Sequence, residues 1–160
     1  MNNQQNNRHN NAGSNSNRNN ENKPGDKKDD KIEEVMKKIK FLENDRIPIS
    51  LLDEDAMKIA KLIKKANTTT HQVRRFFDEV KQFQRLLENK KKNFDDLLPL
   101  IIMLKSKARY AATRKKEMLV FYDFIAASID KIKEGNSEKS FEVFCLFFEA
   151  VYGFAELKEN

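Results

Sequence analysis

The stretch from about Ser140 to Leu157 leaves a chain of this kind few folds to choose from. Phe141, Val143, Phe144, Leu146, Phe147, Phe148, Val151 and Phe154 make it apolar nearly all round. Its only polar stripe is Glu142, Glu149 and Glu156, at seven-residue spacing. A helix with so little polar surface belongs at the centre of a bundle. It is too short for the sustained heptads of a coiled coil, which leaves the bundle reading.

The rest of the chain can supply the other helices. Charged residues make up 35% of the 160 positions, with only four Gly and three Pro, a balance that favours long helices over short strands. The expected fold is all-α, a compact bundle of five to six helices. Residues 30–160 form the bundle domain, and residues 1–29 precede it as a disordered tail. The tail is dominated by Asn, and such a segment buries too little apolar surface to offset its conformational entropy.

Helix signals then follow in order. Asp29 or Asp30 can cap a first helix carrying Ile32, Val35, Met36, Ile39 and Leu42, which must end before Arg46-Ile47-Pro48. Ser50 with Asp53 opens a second helix, with Ala56, Ile59, Ala60 and Ile63 on its core face and its stop at Asn67. Thr69 caps a third, and Gln72 three residues later can reach back to complete a capping box. Val73, Phe76, Phe77, Val80, Phe83 and Leu87 form the apolar face of that helix, and Arg74, Lys81 and Arg85 share a flank outside it.

Lys90-Lys91-Lys92-Asn93 interrupts the pattern. Asn93 or Asp95-Asp96 caps the next helix, in which Pro99 implies a kink or a late start. Lys105, Lys107, Arg109, Arg114, Lys115 and Lys116 then fall within twelve residues that contain no acid. In a helix, Lys105, Arg109 and Lys116 share one stripe, and Leu104, Ala108 and Ala111 share another. A further helix carries Met118, Phe121, Tyr122, Ile125, Ile129 and Ile132 and ends at Gly135-Asn136. Its second strip, Val120, Phe124 and Ala127, implies burial between helices or a contact with another subunit.

Catalytic constellations are hard to assemble from these residues. His9 lies in the tail and His71 in a helical first turn without a nucleophile beside it. Cys145 sits among phenylalanines as a small buried hydrophobe, consistent with a reducing compartment. No zinc-ligand cluster or glycine-rich phosphate loop is present, and adjacent acids at helix starts answer to the helix dipole. No secretory signal is visible, and the apolar run Leu97–Leu104 is far short of the ~20 residues a membrane span needs. A cytoplasmic protein is expected, with no catalytic residue, metal, cofactor, membrane or small-molecule substrate.

The basic stretches are the remaining functional signal. The formal charge is +6, of which +5 lies beyond residue 30. Arg74 and Arg75 can pair with Asp78 and Glu79 four residues on, whereas the Lys105–Lys116 cluster has no such partners. Cations without an aromatic platform favour phosphate contacts, which hold a strand without reading its sequence. Tyr110, the one aromatic inside the cluster, can either stack on a base or pack in the core.

Three motifs resemble one family. Thr69-Thr70-His71-Gln72-Val73-Arg74, followed by Phe76-Phe77, resembles the "TTxQ(I/L)R" helix start of the small helical subunit of type III-A CRISPR effector complexes. Leu104-Lys105-Ser106-Lys107-Ala108-Arg109-Tyr110-Ala111-Ala112-Thr113-Arg114 is similar to that family's "LKPKLAYxxxR", and Phe148-Glu149-Ala150-Val151-Tyr152-Gly153-Phe154 to its terminal "FEAxxAY". The matches keep the family's order over about Glu54 to Lys158. Ser106 replaces the usual proline, which implies a softer break there. Phe154 stands where tyrosine is frequent, and Arg109 adds charge at a usually neutral position.

The resemblance implies a non-catalytic subunit of an antiviral defence complex. Copies stack along the guide RNA–target RNA duplex, among the other subunits, and contact the RNA backbone without sequence preference. Arg74 and Arg114 are carried over by position. Helical geometry adds Lys81, Arg85, Lys105 and Arg109, and the neighbouring Arg75, Lys107 and Lys115 complete the expected RNA-binding set. The competing reading is a helical protein-binding adaptor without direct RNA contact. An RNA-processing enzyme would need clustered acids or a histidine pair, which the chain lacks.

Overall fold

The computed structural model describes residues 26–158. Most of the expected tail therefore lies outside the described residues. Six α-helices follow one another without a strand among these residues: α1 (Asp26–Lys38), α2 (Ala56–Lys65), α3 (Thr70–Glu88), α4 (Phe94–Arg114), α5 (Leu119–Gly135) and α6 (Glu138–Ala155). The all-α bundle expected from the apolar C-terminal stretch is the fold observed.

At the centre, α6 packs against α2, α3 and α5, while α5 also receives α1 and α4. Phe141, Phe144, Phe147 and Phe148 of α6 are fully buried with Phe121 and Phe124 of α5. Their rings meet mostly at tilted or edge-to-face angles. Phe124 lies 5.7 Å from Phe147 and 5.6 Å from Phe148, the arrangement that aromatic quadrupoles favour. Val120 and Phe124, whose strip fitted either a core or an interface, are core. Cys145 is buried with them, and loss of solvent pushes its thiol pKa up to about 12.

Helix ends follow local chemistry, in places differently from the sequence expectation. Helix α1 begins at Asp26, which puts Asp29 and Asp30 inside it, and it stops at Lys38 rather than continuing through Leu42. Glu43 and Arg46 exchange backbone hydrogen bonds of 2.8 and 3.0 Å around Asn44 and Asp45, both at positive φ. That is a type I′ turn, and Asn and Asp tolerate its left-handed backbone best after glycine. Ser50 is already helical and makes no cap bond. The chain passes through a wider π-helical turn at Leu51–Asp55 before α2. Ser137 caps α6 by accepting from Ser140 N–H at 3.2 Å, so that helix starts two residues earlier than expected.

Two other ends match the expectation. Asn93 caps α4 by accepting from Asp96 N–H at 2.8 Å, and Pro99 sits in the second turn without delaying the start. Asn136 adopts a left-handed conformation (φ 39°) and closes α5. At Ser106 there is no break at all: α4 runs on to Arg114. The basic segment is therefore presented by one long helix, except that Lys115 and Lys116 lie past its end.

Candidate nucleic-acid interface

Helices α3 and α4 are consecutive, and between their outer edges lies a groove of about 790 Å³. His71, Arg75 and Glu79 line it from α3; Lys107, Tyr110 and Arg114 line it from α4; Lys115 closes one end. Phe76 and Met118, both buried, underlie it. The spacing explains the convergence. His71, Arg75 and Glu79 recur every four residues along α3, and Lys107, Tyr110 and Arg114 recur at three and four along α4, so each set forms one row.

Four cations thus face a single carboxylate. Lys107 Nζ donates to Glu79 across the groove. Arg75 makes no ion pair among the described residues, although Glu79 was the partner expected for it. Arg114 donates from Nη1 to the Tyr110 hydroxyl at 2.7 Å, and its guanidinium carbon lies 5.6 Å from the ring centroid. Tyr110 is 63% exposed, the most exposed large aromatic side chain among the described residues.

One end of the groove is held by the threonine run. Gln72 Oε1 accepts the Thr69 backbone N–H at 2.8 Å, which is the return half of the expected capping box. Thr68 is buried and donates to the Glu117 carbonyl at 2.7 Å, while Gln72 Nε2 donates to the Glu117 carboxylate at 3.2 Å. These bonds fix the turn that carries Lys115. Backbone hydrogen bonding, aided by Gln72 and the charge of Lys115, holds the Glu117 carboxyl below the usual range against a smaller opposing effect of burial. Thr70 donates from N–H and hydroxyl to the Lys158 and Leu157 carbonyls at 3.1 and 2.9 Å, stitching the C-terminal segment beside α3.

The family model described as Csm2 Type III-A matches residues 46–157, well over half of the chain. The chain belongs to the Csm2 family. It is a small structural subunit of the type III-A CRISPR complex. The matched region takes in both walls of the groove and the threonine clamp, and leaves out α1. No match is found among curated proteins or among solved structures.

Within this Csm2-family bundle the expected RNA-binding residues separate into three groups. Arg75, Lys107, Arg114 and Lys115 come together in the groove. Arg74 and Arg85 project from the other flank of α3, Arg74 toward Asp78 at 3.7 Å. Lys81 shares that flank but turns inward, donating to Glu149 of α6 at 2.6 Å and to Gln84 at 3.0 Å. Lys105 and Arg109 face α5 instead. Lys105 donates to both Asp130 oxygens at 3.0 and 2.9 Å, and Arg109 lies 5.2 Å from the Tyr122 ring centroid. The basic cluster that has no acid in its own sequence thus finds acids on neighbouring helices.

His71, Glu79 and Tyr110 were not in the expected set. A usable signal existed, since all three fall in the same rows as Arg75 and Lys107. Among the described residues, no group of three or more His, Cys, Asp or Glu side chains is placed to hold a metal ion. No helix among them is long and apolar enough to cross a membrane.

Proposed function

We propose that this chain is a non-catalytic, RNA-binding structural subunit. It lies along the guide RNA and target RNA of the type III-A complex, beside other subunits and copies of itself, in the cytoplasm. The α3–α4 groove holds the RNA backbone without sequence preference. One observation carries the reading: two helices and the turn after them aim Arg75, Lys107, Arg114 and Lys115 into a groove containing a single acid. Cations on rigid helices make phosphate contacts, and these position a strand without reading its bases. Membership of a family of CRISPR complex subunits supports RNA as the partner.

Binding to single-stranded RNA by the full chain tests this. Two RNAs of equal length and unrelated sequence should bind with equal affinity. The logarithm of the affinity should fall linearly with the logarithm of salt concentration, with a slope of about 0.7 for each phosphate neutralised. Salt-independent binding, or none at physiological ionic strength and below, would rule the groove out and favour the protein-binding adaptor.

A further inference from the structure

The groove contains one feature that phosphate contact leaves unused. Tyr110 is 63% exposed, whereas the bundle buries Phe76, Phe83 and Phe94 on the same two helices. An aromatic ring left in water forgoes the burial that drives folding, at about 25 cal/mol for each Å². It is not loose, however. Arg114 ties down the hydroxyl at 2.7 Å from one turn further along α4. The ring is therefore presented at the groove with its hydroxyl bonded to Arg114, and Arg75, Lys107 and Lys115 line the same groove.

We infer that Tyr110, braced by Arg114, is a stacking platform for an unpaired base of the strand held in the groove. The inference rests on the reading of the groove as an RNA site and adds to it the state of the RNA. Cations around an exposed aromatic form the combination that binds single strands: the charges track the phosphates, and the ring takes one base face. Every base has a π-face, so stacking adds affinity without adding sequence preference. Bases within an A-form duplex are stacked on each other and offer no face to a side chain. Tyr110 thus makes the groove sensitive to whether a base is free, which the cations alone cannot do.

Tyr110 variants of the full chain distinguish these contributions. On a single-stranded RNA, Tyr110→Ala should weaken binding about ten-fold. The same variant should bind a blunt RNA duplex, or a strand abasic throughout, as tightly as the parent does. Because the sequence contains no tryptophan, Tyr110→Trp installs a sole reporter at the site. Its emission should be quenched on adding the intact strand and unchanged on adding the abasic one.

Separate failures have separate meanings. If the parent binds no RNA, both the groove reading and this inference fall. If the parent binds but Tyr110→Ala loses nothing on the single strand, while Arg75→Glu with Arg114→Glu still abolishes binding, the groove reading survives and the platform is wrong. Equal quenching of the tryptophan by intact and abasic strands would also overturn the platform. Circular dichroism and urea unfolding of each variant confirm that the bundle is intact, as expected for so exposed a position.

Discussion

Lys107 on α4 donates to Glu79 on α3, bridging the two walls of the groove. Glu79 is the groove's only carboxylate, so this pair both joins the walls and neutralises one of four cations. Both side chains are partly exposed, at 45% and 27%, so screening keeps the pair's contribution to stability below about 1 kcal/mol.

Glu79→Gln should therefore separate binding from stability. The substitution releases Lys107 and raises the groove's charge by one. Affinity for single-stranded RNA should increase severalfold at low salt and converge with the parent's at high salt, while the urea midpoint moves little. Titrations at several ionic strengths, alongside unfolding curves, check both halves.

Two glycines should respond to alanine in opposite directions. A Cβ at Gly135 would lie 2.0 Å from Ser140 Oγ and 2.9 Å from Ser140 Cβ, and Ser140 is itself buried and within 2.9 Å of Ser137 Oγ. Overpacking of this kind costs about 1–3 kcal/mol, so Gly135→Ala should destabilise by that order. Gly153 sits inside α6, and a Cβ there meets nothing within 4 Å. Gly153→Ala should stabilise by up to about 1 kcal/mol, the helix-propensity difference. Chemical denaturation of both variants decides the matter.

Thr68 is a further test of how the groove end is held. Thr68→Val removes the 2.7 Å bond to the Glu117 carbonyl and leaves that acceptor facing an apolar group. A loss of about 1–3 kcal/mol in stability is expected. Because the same bond fixes the turn carrying Lys115, RNA affinity should also fall modestly. Unfolding and binding measured on one preparation reveal whether the two are linked.

Burial of Cys145 predicts both its chemistry and its pH dependence. The thiol pKa stands at about 12 in the fold against an ordinary value of 9.0. A raised folded pKa means the stabilisation is fully present below about pH 9. It declines above that, because the unfolded thiol ionises while the folded one cannot. Stability between pH 9 and 12 should thus fall more steeply for the parent than for Cys145→Ala. A thiol-specific disulfide reagent should react slowly with the native chain at pH 8 and quickly in urea.

How much of this was legible in the sequence differs between fold and site. The apolar wrap of Phe141, Phe144, Phe147 and Phe148, the start of α4 at Asn93 and the stop of α5 at Asn136 are local signals, and they gave the bundle correctly. Adjacent Asn44 and Asp45 are a turn signal as well, and it competes with an apolar periodicity that reaches Leu42. Ser50 had the right type for a cap, but the chain after Pro48 is already helical there.

The site was harder, because periodicity says which residues avoid the core and not which neighbour they meet. Arg74 and Arg75 are adjacent in sequence yet point about 100° apart on a helix. Only the placement of α4 on one side of α3 puts Arg75 in the groove and leaves Arg74 beside Asp78. Likewise Lys105 and Arg109 could be assigned to α5, through Asp130 and Tyr122, only once the packing was known.

Charge reversal inside the α3–α4 groove and outside it is the most direct test of the groove as the RNA site. Arg75→Glu combined with Arg114→Glu should weaken binding of single-stranded RNA strongly. The salt slope should become shallower by about 1.4, as expected for two lost phosphate contacts. Arg74→Glu combined with Arg85→Glu makes the same change in net charge outside the groove and should leave the slope within error of the parent's. Equal losses from the two pairs would contradict the account, because binding would then follow overall charge and not the α3–α4 groove.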